Sequence, residues 1–333
     1  MTARLSYFLA TLLASLAIVV SLITSLVQAQ AVPNAWRADF PLNDFSNSIV
    51  SFDEIADGGP RRDGIPPIDN PQFVSLEQAA ARYTPQEPVI SLLIGGEAKA
   101  YPLQILMWHE IVNDRIAGIP VVVTFCPLCN ASLVFDARLE GRVLTFGTTG
   151  RLRNSDLIMY DRETESWWQQ FTGEVLVGEL LGSRLNRIPA RIESFERFAA
   201  RAPNGQVLVP NDERMRRYGQ NPYAGYDSLT RPYNLYRGPL PANIDPMARV
   251  VVVDAQAWSL ALLRDLGRFE DADLTFTWVA EQNSALDSRD IASGRDIGNV
   301  VVQRDGEDVV YDVAFAFAYH AFFPESEIKT RLQ

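Results

Sequence analysis

Across 333 residues the chain has two cysteines, two histidines and two lysines. Two cysteines permit one bridge at most, so a disulfide framework of the kind that holds small secreted domains together is excluded. They also fall short of the four thiolates of a zinc ribbon. The lysines are Lys99 and Lys329, so the basic residues are nearly all arginine, and 30 Lys+Arg stand against 41 Asp+Glu. An acidic chain without a basic run is not a nucleic-acid binder. Beyond residue 31 no stretch is long and apolar enough to span a membrane.

What the sequence does have begins at its start. Arg4 is the only charge among the first 31 residues, an apolar run extends from Tyr7 to Val27, and Ala29-Gln30-Ala31 follows. This is the pattern of an export signal with a small-x-small cleavage site, although the run also has the length of an uncleaved N-terminal anchor. No cysteine follows the cleavage pattern, which excludes a lipoprotein. Residues 32–333 are then expected outside the cytoplasm, in a periplasm or the extracellular space, with no other membrane segment. Nothing in the sequence names a protein partner.

The exported part reads as one compact α+β domain, rich in strands, with antiparallel or mixed sheets forming a sandwich or partly closed barrel and a few short helices. Residues 32–72, rich in Pro, Gly, Asp and Asn, read as an arm laid over the core. A short helix is expected in Ser75–Tyr83, with Ser75 as its cap. A hairpin is expected from Val89–Ile94 and Ala98–Tyr101 about Gly95-Gly96. "LQILMWHEIVND" has helical spacing, with Ile105, Trp108, His109 and Val112 on one face, and predicts a helix over 103–114. "IPVVVTF" is apolar and β-branched, a strand covered on both faces that leads into Cys126. "ASLVFDARLEGRVLTFGTTG" predicts a hairpin near Glu140-Gly141, with Phe146–Gly150 as a glycine-bounded turn. Strands follow around a polar turn at Asp161–Glu165, then a helix in "ESFERFAAR" and a turn-rich loop. In the last third, strands are expected in "RVVVVDA", "LTFTWVA" and "GNVVVQRDGEDVVYDVAF".

The chemistry centres on "VTFCPLCNASLVFD", which holds both cysteines as Cys126-Pro-Leu-Cys129. A c-type haem site requires His after the second Cys, and Asn130 stands there. A thioredoxin-like site requires a helix to start at the motif, and a strand pattern follows instead, so the fold is not thioredoxin-like. Three readings survive. A local disulfide would close a loop of four residues and add only about 2 kcal/mol. A redox-active dithiol would make the protein a thiol-disulfide oxidoreductase on another scaffold. A metal site with two thiolates would favour a soft ion, Cu(I) or Zn(II).

The metal reading leads, with copper placed ahead of zinc. Cys126 and Cys129 are its ligands, and His109, on the preceding element, is the third. Glu110 is the candidate to orient the site or move protons, and Cys126, Cys129 and Glu110 are the candidates for catalysis if the protein is an enzyme. Met107 and Met159 are better explained as apolar packing than as thioether ligands. His320, in an aromatic run, and Trp167 and Trp168 read as packed side chains. Asn154, Ser155 and Asp156 read as turn-formers first and site residues second.

Five strings occur together in order: "GGPRRDGIPPIDNPQFVS", "GGEAKAYPLQILMWHEIVND", "VVVTFCPLCNASLVFD", "FGTTGRLRNSDLIMYDRETESWWQQFTGE" and "YGQNPYAGYDS". Over about residues 54–227 the chain resembles the exported prokaryotic proteins grouped as domain of unknown function 3179. The resemblance implies that "WHE" and "CPLC" belong to one signature. It brings no activity with it.

Overall fold

In the computed structural model the structure describes residues 32–332; the signal expected at 1–31 lies outside the described residues. Strands dominate, in sheets of five, five, four, four, three and two, and the helices are short. Most strand pairs are antiparallel hairpins. Gln206–Val209 against Glu97–Pro102 and Gln256–Ser259 against Ile328–Lys329 are parallel, so two of the sheets are mixed. This is the strand-rich α+β class that the alternating patterns imply. No helix among the described residues is long and apolar enough to cross a membrane.

The three-stranded sheet carries the cysteines. Ile111–Ile116, Ile119–Cys126 and Ala131–Asp136 run antiparallel, with Ile119–Cys126 in the middle. Its β-branched residues suit a strand flanked on both sides, and Val121, Val122 and Val123 are buried. The register pairs Cys126 with Ala131, so Pro127–Asn130 is the turn that closes the hairpin. Asn130 takes φ 53°, a left-handed conformation that asparagine tolerates better than most residues.

The helix expected over 103–114 stops early, at Leu103–His109. Glu110 takes φ 58°, which ends it, and the amide of Glu110 bonds back to the Leu106 carbonyl at 2.7 Å. The next residues, Ile111-Val112, are β-branched and join the sheet, pairing with Thr124 and Val123. Phe146–Gly150 is also not a free turn. It lies within the strand Phe146–Arg153, whose register shifts between Thr148 and Arg151. The bulge seats Gly150 at φ 72°, where an added Cβ would lie 1.9 Å from the Pro60 carbonyl oxygen.

The helices Leu260–Leu266 and Ala316–Phe322 were not apparent from sequence. Each is two turns long and follows a strand without a break, so apolar continuity masks its 3.6-residue period. The arm at 32–72 is more structured than its composition implies. Its first helix, Asn34–Asp39, brings Trp36 against Trp167, and Phe40 and Phe45 meet Trp167 edge-on at ring-centroid distances of 5.2 Å. Trp167 is fully buried at the centre of this second core. Trp167→Ala should therefore destabilise the fold by about 3–5 kcal/mol, read as a lower urea midpoint. A loss below about 1 kcal/mol would mean that the arm does not rest on this ring.

The largest core runs from Ile68 to Ile328 and includes both cysteines. The last third of the chain therefore packs directly on the cysteine hairpin. Phe315 donates its amide to the Cys129 carbonyl at 2.9 Å, and Asn130 Nδ2 donates to the Val313 carbonyl at 2.6 Å.

Candidate functional site

The turn Pro127–Asn130 faces a second tight hairpin. Asn154 and Ser155 both take positive φ (56° and 63°) and join Phe146–Arg153 to Asp156–Asp161. Positive φ at both central residues is the geometry of a two-residue type I′ hairpin turn, also taken by Asp254-Ala255. The carbonyls of this turn point at the sulfurs: Cys126 Sγ lies 3.7 Å from the Ser155 oxygen and Cys129 Sγ 4.0 Å from that of Asn154. The strand then delivers Asp156 to the cysteines. One sulfur each from Cys126 and Cys129 and a carboxylate oxygen of Asp156 all lie within 4.8 Å of one another.

All three side chains are buried, and both thiols are free. Asp156 is held by one oxygen only. Its Oδ2 accepts from Gln169 Nε2 at 2.7 Å and from the Phe171 amide at 2.9 Å, while Oδ1 has no hydrogen-bond partner among the described residues. It is one of six buried polar atoms without a partner that gather here. The others are Ser155 Oγ, Gln169 Oε1, Gln170 Oε1, Ser132 Oγ and Asp312 Oδ2. Buried polar atoms in native cores are nearly always satisfied, by protein groups or by water, so this gathering makes the patch a candidate site.

Asp312 connects this patch to the last third of the chain. Its Oδ1 accepts the amides of Ser132 (2.9 Å) and Val313 (2.8 Å). The ionisable groups nearest the sulfurs are acidic, and the buried Arg187 guanidinium stands near Asp312 and Asp156 as the one basic group acting on them among the described residues. Burial pushes the Cys126 thiol up and the Cys129 thiol well up, with Asp156 adding in both cases. Burial raises Asp156 to about 7, against the opposing bonds from Gln169 and Phe171, and raises Asp312 to about 7. Glu110 rises to about 8 through burial, with the charge of Asp156 adding.

Glu110 belongs to the surroundings of this group. Its carbonyl accepts the Phe125 amide at 2.8 Å, which fixes the helix end against the strand entering Cys126. Its buried carboxyl lines a cavity of about 140 Å³ together with Leu128 of the cysteine turn.

His109 stands outside the group. Its Nδ1–H donates to the Pro66 carbonyl at 2.7 Å, which fixes the tautomer and leaves Nε2 as the acceptor for the Tyr218 hydroxyl, also at 2.7 Å. The Tyr218 ring stacks on it at 15°. Burial lowers its pKa, so the ring is neutral at pH 7 with both nitrogens engaged. The third donor beside the cysteines is Asp156, which reads in the sequence as a turn-former. His320 is half-buried on the helix Ala316–Phe322, also outside the donor group. Met107 and Met159 are buried in the main core.

Residues 218–226, the "YGQNPYAGY" segment, close over the turn. Tyr218 holds His109, and Tyr226 donates its hydroxyl to the Leu128 carbonyl at 3.0 Å. The sequence marks this segment only as a turn-rich loop; its tyrosines gave no signal of where they point.

A family model described as protein of unknown function (DUF3179) matches residues 62–326, most of the chain. The match extends well past residue 227, in keeping with a last third that packs on the cysteine hairpin. No curated protein and no solved structure matches.

Proposed function

We propose a zinc-binding role for this chain, which belongs to the DUF3179 family, with Cys126, Cys129 and Asp156 as the protein ligands. The observation that carries the reading is the Asp156 carboxylate, fully buried, with one oxygen free and within 4.8 Å of both sulfurs. A cation between them would satisfy that oxygen and offset the mutual repulsion of the three ligands once ionised. A carboxylate as third donor favours zinc over copper, reversing the order the sequence suggests. Zn(II) accepts thiolate and carboxylate together, at about 2.3 Å and 2.0–2.2 Å. Cu(I) favours soft thiolate and thioether donors. Three protein ligands leave a fourth position for water or substrate, the arrangement of catalytic rather than structural zinc. Glu110 is then placed to orient or exchange protons near that position.

The dithiol reading is weaker on physical grounds. Redox-active cysteines lie in electropositive, partly exposed surroundings that lower a thiol pKa. Here both thiols are buried and raised, beside carboxyl groups. The action of the protein outside the cytoplasm is part of the proposal and rests on the composition of residues 1–31.

The test is metal content. Protein purified without added metal under anaerobic conditions is expected to carry close to one equivalent of zinc, and Cys126→Ser/Cys129→Ser none. Wild type and double variant equally free of zinc after zinc loading and desalting would overturn the reading. Stoichiometric copper in place of zinc would return the assignment to the softer ion.

A further inference from the structure

The cavity beside the cysteine turn has a composition of its own. Its volume, about 140 Å³, is close to that of an apolar protein cavity known to hold benzene, about 150 Å³. Ile65, Leu128, Leu157 and Leu235 supply apolar wall, and Tyr223 and Tyr233 supply aromatic surface. One acidic group enters it. Glu110 is 8% exposed, and its carboxyl has no hydrogen-bond partner among the described residues. A carboxyl this little exposed and without a protein partner is costly to ionise, and a cationic ligand that bonded it would recover part of that cost.

The charge in the wall decides the kind of partner. Arg151 also lines the cavity; one guanidinium nitrogen pairs with Asp57 at 2.6 Å, while its Nε has no partner among the described residues. Behind Glu110 stands Asp156, whose carboxylate charge adds to that of Glu110 against a second anion. The Tyr223 hydroxyl has no hydrogen-bond partner among the described residues, and the tyrosine rings can face a cation. By contrast, the wider surface cleft of about 540 Å³ over Asp227 has its carboxylate already held by Arg249 and Arg295.

We propose that this cavity binds a small organic cation, a primary amine on an apolar body of roughly benzene size, with the ammonium on Glu110 and the body against Leu128, Leu235 and the tyrosines. The site contains none of the three zinc ligands, although Glu110 borders both, and it does not require that zinc be bound.

Calorimetric titration of the full chain with benzylamine, benzyl alcohol and benzoate tests it. Benzylamine is expected to bind, the alcohol at least about tenfold more weakly for want of the charged hydrogen bond, and benzoate not at all. Glu110→Gln should weaken benzylamine by about tenfold and remove its preference over the alcohol. Leu235→Trp, at a half-buried wall position, should abolish binding of both while thermal melting stays cooperative. Cys126→Ser/Cys129→Ser should still bind the amine, so failure of the zinc assignment would leave this result intact. Equal binding of all three compounds, no benzylamine binding, or benzylamine affinity unchanged in both Glu110→Gln and Leu235→Trp would overturn the proposal.

Discussion

Asp156→Ala should lose zinc affinity by at least about a hundredfold, whereas His109→Ala should keep it within a few fold. The contrast follows from where each donor atom is already committed. Both nitrogens of His109 are bonded, to Pro66 and Tyr218, at 2.7 Å. To become a ligand, the ring would have to break at least one of these bonds and unstack from Tyr218. Asp156 keeps Oδ1 uncommitted, because Gln169 and Phe171 hold the carboxylate through Oδ2 alone. Substitution of Gln169 should therefore weaken zinc in the same direction but less, by about ten- to a hundredfold, as for other groups that orient a ligand. Competition with a chromophoric zinc chelator measures all three. Loss of zinc in His109→Ala equal to that in Asp156→Ala would move the third ligand back to the histidine.

The same pair shows what the sequence could and could not reveal. The strand into Cys126, the turn and the returning strand were legible because they rest on local signals: a β-branched run, Pro-Leu between the cysteines, and apolar alternation after them. His109 was attractive because it shares a helical face with Ile105 and lies one element before the cysteines. Only a helix continuing through residue 114 would turn that face toward the cysteines. Glu110 ends the helix at φ 58°, a conformation that residue type does not announce. Asp156 was hidden for the opposite reason. Asn154-Ser155-Asp156 satisfies every local criterion for a turn, and two of the three do form one. Only the pairing of two separate hairpins brings the third to the sulfurs. Asp312 lies 180 positions from the Ser132 amide that it accepts, and no pattern within the last third could indicate that bond.

Metal-free protein should become less stable as pH rises from about 5 to 8, opposite to the usual acid sensitivity of folded proteins. Glu110 is raised to about 8, and Asp156 and Asp312 to about 7, in each case mainly by burial. In the unfolded chain these carboxyls ionise near their ordinary values, about 4. Between the two, the folded state holds protons that the unfolded state has released. Stability from these groups is therefore complete below about pH 4 and is lost as pH climbs through 7 to 8. Each such proton corresponds to about 1.4 kcal/mol per pH unit. Because the groups titrate as a coupled set, and their separate values share the same repulsions, the combined loss is on the order of several kcal/mol rather than the full sum. Urea midpoints of chelator-treated protein across this range should fall, and Glu110→Gln/Asp156→Asn should flatten the curve. Zinc should oppose the trend, since it binds the deprotonated ligands and its affinity rises with pH. The zinc-loaded protein is thus expected to hold or gain stability over the same interval in which the metal-free protein loses it. Metal-free midpoints that stayed level or rose toward pH 8 would show that these carboxyls are ionised in the folded chain. Arg187, which already acts on Asp312, would then be the counter-charge of the buried acidic group in place of a bound cation.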